Sequence, residues 1–205
     1  QSPRTLLDNS ASGELIQFAA QGDRWFVLHP RAGLIRELPG LAGDGPREWQ
    51  LGASDAEDLM TVWEGNQFWI VGAQSRWRLD IRQGRLERFE QRLDFKPRVS
   101  AQGPDGLIWI GGRGDAGALC RTRSLDSAVC ETVPIEAHNI TALRLDQHGA
   151  LWVSSWDAGL FRITTPPVAR FGDGRAQSLL ALNDGSVVVQ GRTAAIRIAG
   201  DRARP

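Results

Sequence analysis

The chain has no tyrosine, two cysteines, three histidines and one methionine among its 205 residues. Each scarcity removes a class of chemistry. His29, His138 and His148 lie far apart and share no ligand spacing, and two cysteines without an adjacent histidine make a poor zinc set. There is no His-Glu-x-x-His helix motif, no nucleophile elbow and no phosphate-binding glycine loop. No catalytic residue, metal or cofactor is therefore expected. Charge of neither sign dominates: 24 Lys and Arg balance 24 Asp and Glu. That balance argues against binding to nucleic acid or to an anionic membrane surface. No stretch reaches the about 18 apolar residues of a membrane span, so no direct membrane insertion is expected. The start of the chain shows no signal-peptide pattern and reads as either a mature form or an excised segment.

What is present points to β structure. Hydrophobic residues make up 41% of the chain, enough for a core, while 23 Gly and 10 Pro are spread as punctuation. The eight Trp carry the clearest pattern. A Gly- or Asp-containing turn repeatedly precedes a short apolar run, centred in turn on Phe26, Trp69, Trp109, Trp152 and Val188. The steps between centres are 43, 40, 43 and 36 residues, the size of one four-stranded propeller blade. Alternating runs such as Ile140–Leu145 and Leu180–Leu182 precede the turns, and Asp-Gly between two such runs marks a hairpin. A third strand follows, as in Gly33–Arg36, Arg76–Leu79, Gly117–Cys120, Gly159–Ile163 and Ala194–Ile198. A shorter, more polar fourth segment reads as an outer edge strand: Arg47–Gln50, Leu86–Phe89, Ala128–Glu131 and Val168–Phe171.

These runs predict an all-β chain, a β-propeller of about five four-stranded blades in a single domain over 1–205. The blades are placed at 14–52, 58–92, 98–134, 139–172 and 176–200. The fifth repeat lacks an evident outer strand, and the N-terminal strand 4–8 belongs to no other blade. Closure of the ring by that strand, with Thr5–Leu7 paired to Ala195–Ile198, would remove a free sheet edge. The alternative is a segment of a longer propeller.

The run Ile140–Val153 followed by Gly159-Leu160-Phe161-Arg162, and the third repeat Asp105–Gly111, resemble the two-component-regulator propeller repeat. Members of that family are extracytoplasmic sensor heads of histidine kinases and diguanylate cyclases. The Asp-Gly-x-Leu-Trp element also resembles the propeller of streptogramin lyases. The resemblance implies a periplasmic or extracellular binding domain, whereas the lyase resemblance implies a histidine base with a divalent metal.

Three groups of residues are candidates for function. Cys120 and Cys130 fall on neighbouring strands of the third blade, where a hairpin turning at Leu125 would bring them to disulfide distance. A disulfide would place the chain in an oxidising compartment; the alternative is two half-buried thiols. The acidic cluster Asp55, Glu57 and Asp58 reads as a solvated loop or a weak cation site. The second-to-third-strand loops converge on one propeller face and hold His29, Arg31, Gln74, Arg76, Trp77, Arg113, Asp115, Trp156, Asp157 and Arg192. Guanidinium forks and indole plates suit an anionic or sugar-like small ligand. Trp156 is singled out because the blade pattern does not require it; packing on a neighbouring loop is the other explanation. The expected function is non-catalytic ligand sensing. A protein partner, met through Trp49, Trp63 and Trp77, and a lyase using His29 are the alternatives.

Overall fold

A computed structural model describes residues 17–21, 24–38, 46–52, 58–64, 67–115, 117–127, 129–164, 168–171, 175–191, 195–199 and 202–204. Every regular element among them is a strand. The chain divides into two compact units, Gln1–Glu57 and Asp58–Pro205. The first holds one antiparallel sheet in the order β1 (Gln17–Gln21), β2 (Arg24–His29), β3 (Leu34–Glu37), β4 (Arg47–Gln50). Its buried side chains include Phe26, Val27, Leu28 and Ile35.

The second unit holds four more sheets of the same meander. They are β5 (Met60–Glu64) to β6 (Gln67–Val71), β7 (Ser75–Asp80) and β8 (Arg85–Glu90); then β9 (Lys96–Gln102), β10 (Ile108–Arg113), β11 (Leu119–Thr122) and β12 (Glu131–Thr132). The last two are β13 (Ile140–Leu145), β14 (Leu151–Ser155), β15 (Gly159–Ile163) and β16 (Val168–Phe171), and β17 (Ala176–Ala181), β18 (Val187–Gly191), β19 (Ala195–Ala199) and β20 (Arg202–Arg204).

Turn chemistry makes the hairpins. In three sheets the loop between first and second strands closes with the same two backbone bonds. Gly103 N–H donates to Leu107 O at 2.8 Å and Gly106 N–H to Gly103 O at 3.0 Å; the equivalents are Asp146, Ala150 and Gly149, and Leu182, Ser186 and Gly185. The closing Gly106, Gly149 and Gly185 have φ of 77°, 78° and 78°, a left-handed conformation that costs a β-carbon-bearing residue free energy. This is why glycine recurs at that step of the repeat.

Second strands β6, β10 and β14 are buried on both faces, so their cores read as runs rather than as alternating patterns. Phe68, Trp69, Ile70 and Val71 have no exposed surface, and Trp109 and Trp152 are also buried. Each of these Trp lies in register with an Arg on the third strand: Trp69 with Arg78, Trp109 with Arg121, and Trp152 with Arg162. The guanidinium carbons stand 5.7, 5.9 and 5.5 Å from the ring centroids, cation–π range. The recurring Trp and Arg of the repeat are thus one cross-strand pair.

Two expectations are corrected. The fifth sheet has an outer strand, β20, paired through Arg197 with Arg204, Ile198 with Ala203 and Ala199 with Arg202. The edge assigned to Thr5–Leu7 is therefore taken by the C-terminal segment, and 4–8 lies outside the described residues. In the third sheet the hairpin pairs Cys120 with Thr132, so Cys130 sits two residues off the register expected for it. Cys120 and Cys130 are nevertheless bonded, with Cα atoms 5.6 Å apart. The covalent link is diagonal and stands beside an outer strand of only two residues.

Candidate ligand site

The site is built on Gly112 and Gly114. Gly111 and Gly112 continue strand β10. At Gly112 an added β-carbon would lie 1.9 Å from Lys96 O, and at Gly114 it would lie 2.6 Å from Phe95 Cβ. Only bare backbone lets the start of β9 pass this closely, and the ladder shifts register between Gly111 and Gly112. The shift sets Arg113 opposite Lys96. Gly114 N–H donates to His138 O at 3.0 Å, fixing the loop that carries Asp115.

A second loop pair completes the wall. The β6–β7 connection carries Ala73 and Gln74, and the β8–β9 connection runs over 91–95. Gln91 N–H donates to Gln74 O at 3.0 Å, Leu93 N–H to Ala73 O at 2.8 Å and Gln91 Nε2 to Gly72 O at 3.2 Å. The result is an open cavity of about 1430 Å³ lined by both loops, by Ser75, Arg88 and Glu90, and by Asp58, Lys96, Arg98, Arg113 and Asp115.

Its charges divide into used and available groups. Asp58 accepts Lys96 at 2.8 Å and Arg98 at 3.5 Å, and Arg88 donates to Ser75 Oγ at 2.7 Å. Arg92, Arg113, Glu90, Asp94 and Asp115 have side chains in no ion pair among the described residues. Two guanidinium groups and three carboxylates therefore face the cavity with hydrogen-bonding capacity to spare.

Of the residues singled out from sequence, Gln74, Arg113 and Asp115 meet at this cavity. Arg76 and Trp77 lie inside strand β7, not in its loop, and each is 3% exposed. Arg76 donates to Asp126 O at 3.0 Å and Glu90 O at 3.4 Å and stacks 5.5 Å from the Phe89 centroid; Trp77 lies under Arg88 at 5.8 Å. Burial pulls the Arg76 guanidinium below its ordinary value, while the nearby Asp126 carboxylate pushes it back up. Asp157 turns inward: its carboxylate accepts His138 N–H and Asn139 N–H at 3.0 Å each and the Ser155 hydroxyl at 2.5 Å. Partial burial raises its pKa, but those bonds outweigh burial and hold it below the usual carboxylate value. Trp156 is half-buried, with Arg175 5.3 Å from its ring centroid. His29 ends β2 half-buried and Arg31 is exposed in the following turn, both in the first unit. Arg192, Asp55 and Glu57 lie outside the described residues. Trp49 and Trp63 are half-buried.

Sequence reasoning missed Arg92, Asp94, Lys96 and Arg98. The charges of 91–98, which follow the predicted fourth strand Leu86–Phe89, were the available signal.

No family model matches the chain, and no curated protein matches it in sequence. Solved structures do match. Virginiamycin B lyase from Staphylococcus aureus superposes with a TM-score of 0.70 at 18% identity, over 92% of this chain and 67% of the lyase. The extracellular domain of a hybrid two component system from B. thetaiotaomicron gives 0.68 at 14% identity, over 95% of this chain and 29% of that one. The extracellular domain of a one component system from the same organism gives 0.67 at 16%, over 91% and 26%. The chain has the β-propeller fold. Its five antiparallel meanders are four-stranded sheets of the blade type, and the cavity lies on the loops of the second and third sheets.

Proposed function

We propose that residues 1–205 act as one non-catalytic, extracytoplasmic ligand-binding domain that serves as the input of a bacterial signalling receptor. The observation that carries the reading is the cavity of available charged and polar groups at Gln74, Arg92, Asp94, Arg113 and Asp115. Guanidinium groups take a carboxylate, and carboxylates with Gln74 take hydroxyls. The lining suits a small ligand bearing both, an anionic sugar being the simplest. The Cys120–Cys130 disulfide places the chain in an oxidising compartment, periplasmic or extracellular. Likeness to extracellular domains of one and two component systems supports the signalling role; the propeller spans about a quarter of each. The lyase likeness supports the fold.

Lys96 is the one lysine of the chain and lines the cavity. Calorimetry against glucuronate and galacturonate, with acetylation of Lys96 followed by peptide mapping, tests the proposal. Binding that protects Lys96 and weakens about tenfold or more in Arg113→Ala, the loss of one charge-assisted contact, is expected. Binding that leaves Lys96 fully reactive and ignores Arg113 overturns this site. If neither uronate nor the neutral sugars glucose and galactose bind, the ligand class is wrong.

A further inference from the structure

The Cys120–Cys130 disulfide closes a short loop that reaches across to the neighbouring sheet. Leu125, at its tip, is buried at 2% exposure, and its N–H donates to Glu64 Oε2 on β5 at 3.2 Å. Next to it, Asp126 is gripped by two arginines of β7. Its backbone oxygen accepts Arg76 Nη2 at 3.0 Å, and its carboxylate accepts Arg78 Nη1 at 2.8 Å. Outer strand β12 contributes only two residues of pairing, and the disulfide ties the two ends of the loop covalently.

Arg76 connects that loop to the ligand cavity. Its other Nη donates to the backbone oxygen of Glu90, and Glu90 lines the cavity together with Ser75, the neighbour of Arg76. Its Nε is buried with no partner, so the guanidinium has no spare acceptor to turn to if Asp126 withdraws. We propose that the disulfide is a redox latch: it holds the loop that carries Leu125 and Asp126 on Arg76, and through Arg76 it sets the rigidity of the cavity wall. The inference rests on the reading of the cavity as the ligand site.

The chemistry needs a dithiol reductant of the thioredoxin class. One reductant thiolate attacks the sulfur of Cys130, which is half-buried while Cys120 is 1% exposed. The Cys120 sulfur leaves with the electron pair of the broken bond and takes a proton. The second reductant thiolate then attacks its own partner in the mixed disulfide, releasing Cys130 as a thiol. Two cysteine thiols form, and the reductant ends as its disulfide. The freed loop loses its covalent tie, Asp126 moves off, and Arg76 repositions with the Glu90 wall.

Hydrogen exchange of the full chain, oxidised and then reduced with dithiothreitol, reads this without any ligand. The reporters are the Gln91 and Leu93 amides, which zip the two cavity loops together, compared with amides of β17 and β18. Reduction should speed exchange at Gln91 and Leu93 by about tenfold or more and leave β17 and β18 unchanged, the signature of local opening. Asp126→Ala, which removes the Arg78 bond and the carboxylate charge beside Arg76 but keeps the backbone oxygen that Arg76 bonds, should produce a smaller change of the same pattern in the oxidised protein. Rim amides unmoved by reduction overturn the latch; equal acceleration at β17 and β18 overturns it too, because the disulfide then acts on global stability alone. Failure of the uronate titration leaves these exchange outcomes unchanged, so the two readings fail separately.

Discussion

At the residue scale the propeller is organised by a few polar side chains that finish what the turns begin. Asp146 is the clearest. One carboxylate oxygen accepts His148 N–H at 2.9 Å and Ala150 N–H at 3.0 Å; the other accepts Trp152 Nε1–H at 3.0 Å and lies 3.8 Å from Arg162. One side chain thus closes the hairpin and anchors the Trp–Arg pair of the fourth blade. Asp146→Ala leaves three donors short of an acceptor in a buried place and should cost about 2–4 kcal/mol, measured by urea unfolding. Asp146→Asn keeps one acceptor for the turn but sets an amide N–H against the indole N–H, so it should fall between alanine and the native residue. If Asp146→Asn unfolds at the same urea concentration as the native protein, the indole bond contributes nothing. The Asp of this repeat was legible in the sequence as a turn residue. Its bond to the indole six positions on was not, because spacing gives no side-chain direction.

Elements tell a similar story with a different limit. Hairpins and the order of strands within each blade were legible because glycine turns and apolar runs recur with the blade. Where strand ends were misjudged, the deciding force was a contact that local sequence does not show. Gly111-Gly112 reads as a turn from composition, yet it continues β10 because β9 lies directly against it. Arg76 reads as a loop cation from its position after Gln74-Ser75, yet it is 3% exposed because Asp126, fifty residues on, supplies an acceptor. Cys130 was paired correctly with Cys120 although the ladder register differs by two, since a disulfide tolerates a diagonal geometry that a strand ladder does not. The close approach at Gly112 gives a direct test. Gly112→Ala forces a β-carbon into Lys96 O, a backbone atom that cannot swing aside, and should destabilise by about 1–3 kcal/mol by overpacking. The same change at Gly106 meets no atom but must hold φ of 77°, so it measures backbone strain without the clash. Equal unfolding midpoints in denaturant for the native protein and Gly112→Ala would show that β9 does not rest on this glycine.

At the scale of the whole molecule, charges that cancel in number do not cancel in arrangement. Only part of the candidate site was legible: the blade pattern placed Gln74, Arg113 and Asp115 on loops of one face, while the 91–98 charges needed the cavity to be seen. Away from the cavity, most carboxylates are tied to arginines or backbone N–H groups, and this sets the response to acid. Burial raises the Glu37 pKa but is outweighed by the Arg24 hydrogen bond and by the Arg24 and Arg47 charges. Asp157 is likewise lowered on balance by Ser155 and backbone N–H groups. The half-buried Glu87 and the exposed Glu131 and Asp184 are lowered first by hydrogen bonds from Arg78, Arg121 and Ser186 respectively. All five ionise more readily folded than unfolded, so the unfolded chain binds more protons in the acid range. Their stabilisation is complete above the unfolded carboxylate value near about 4, and it declines as pH falls through the lower folded values. Stability measured by urea unfolding should therefore hold steady with respect to these groups from neutral pH down to about 5 and fall steeply below about 4. Asp157→Asn should flatten part of that fall, because it removes the group that bonds three donors of the β12–β13 connection and the β14 end. Stability that rises on acidification below pH about 4 would mean these carboxylates are held charged against their surroundings, the reverse of the sign argued from their hydrogen bonds.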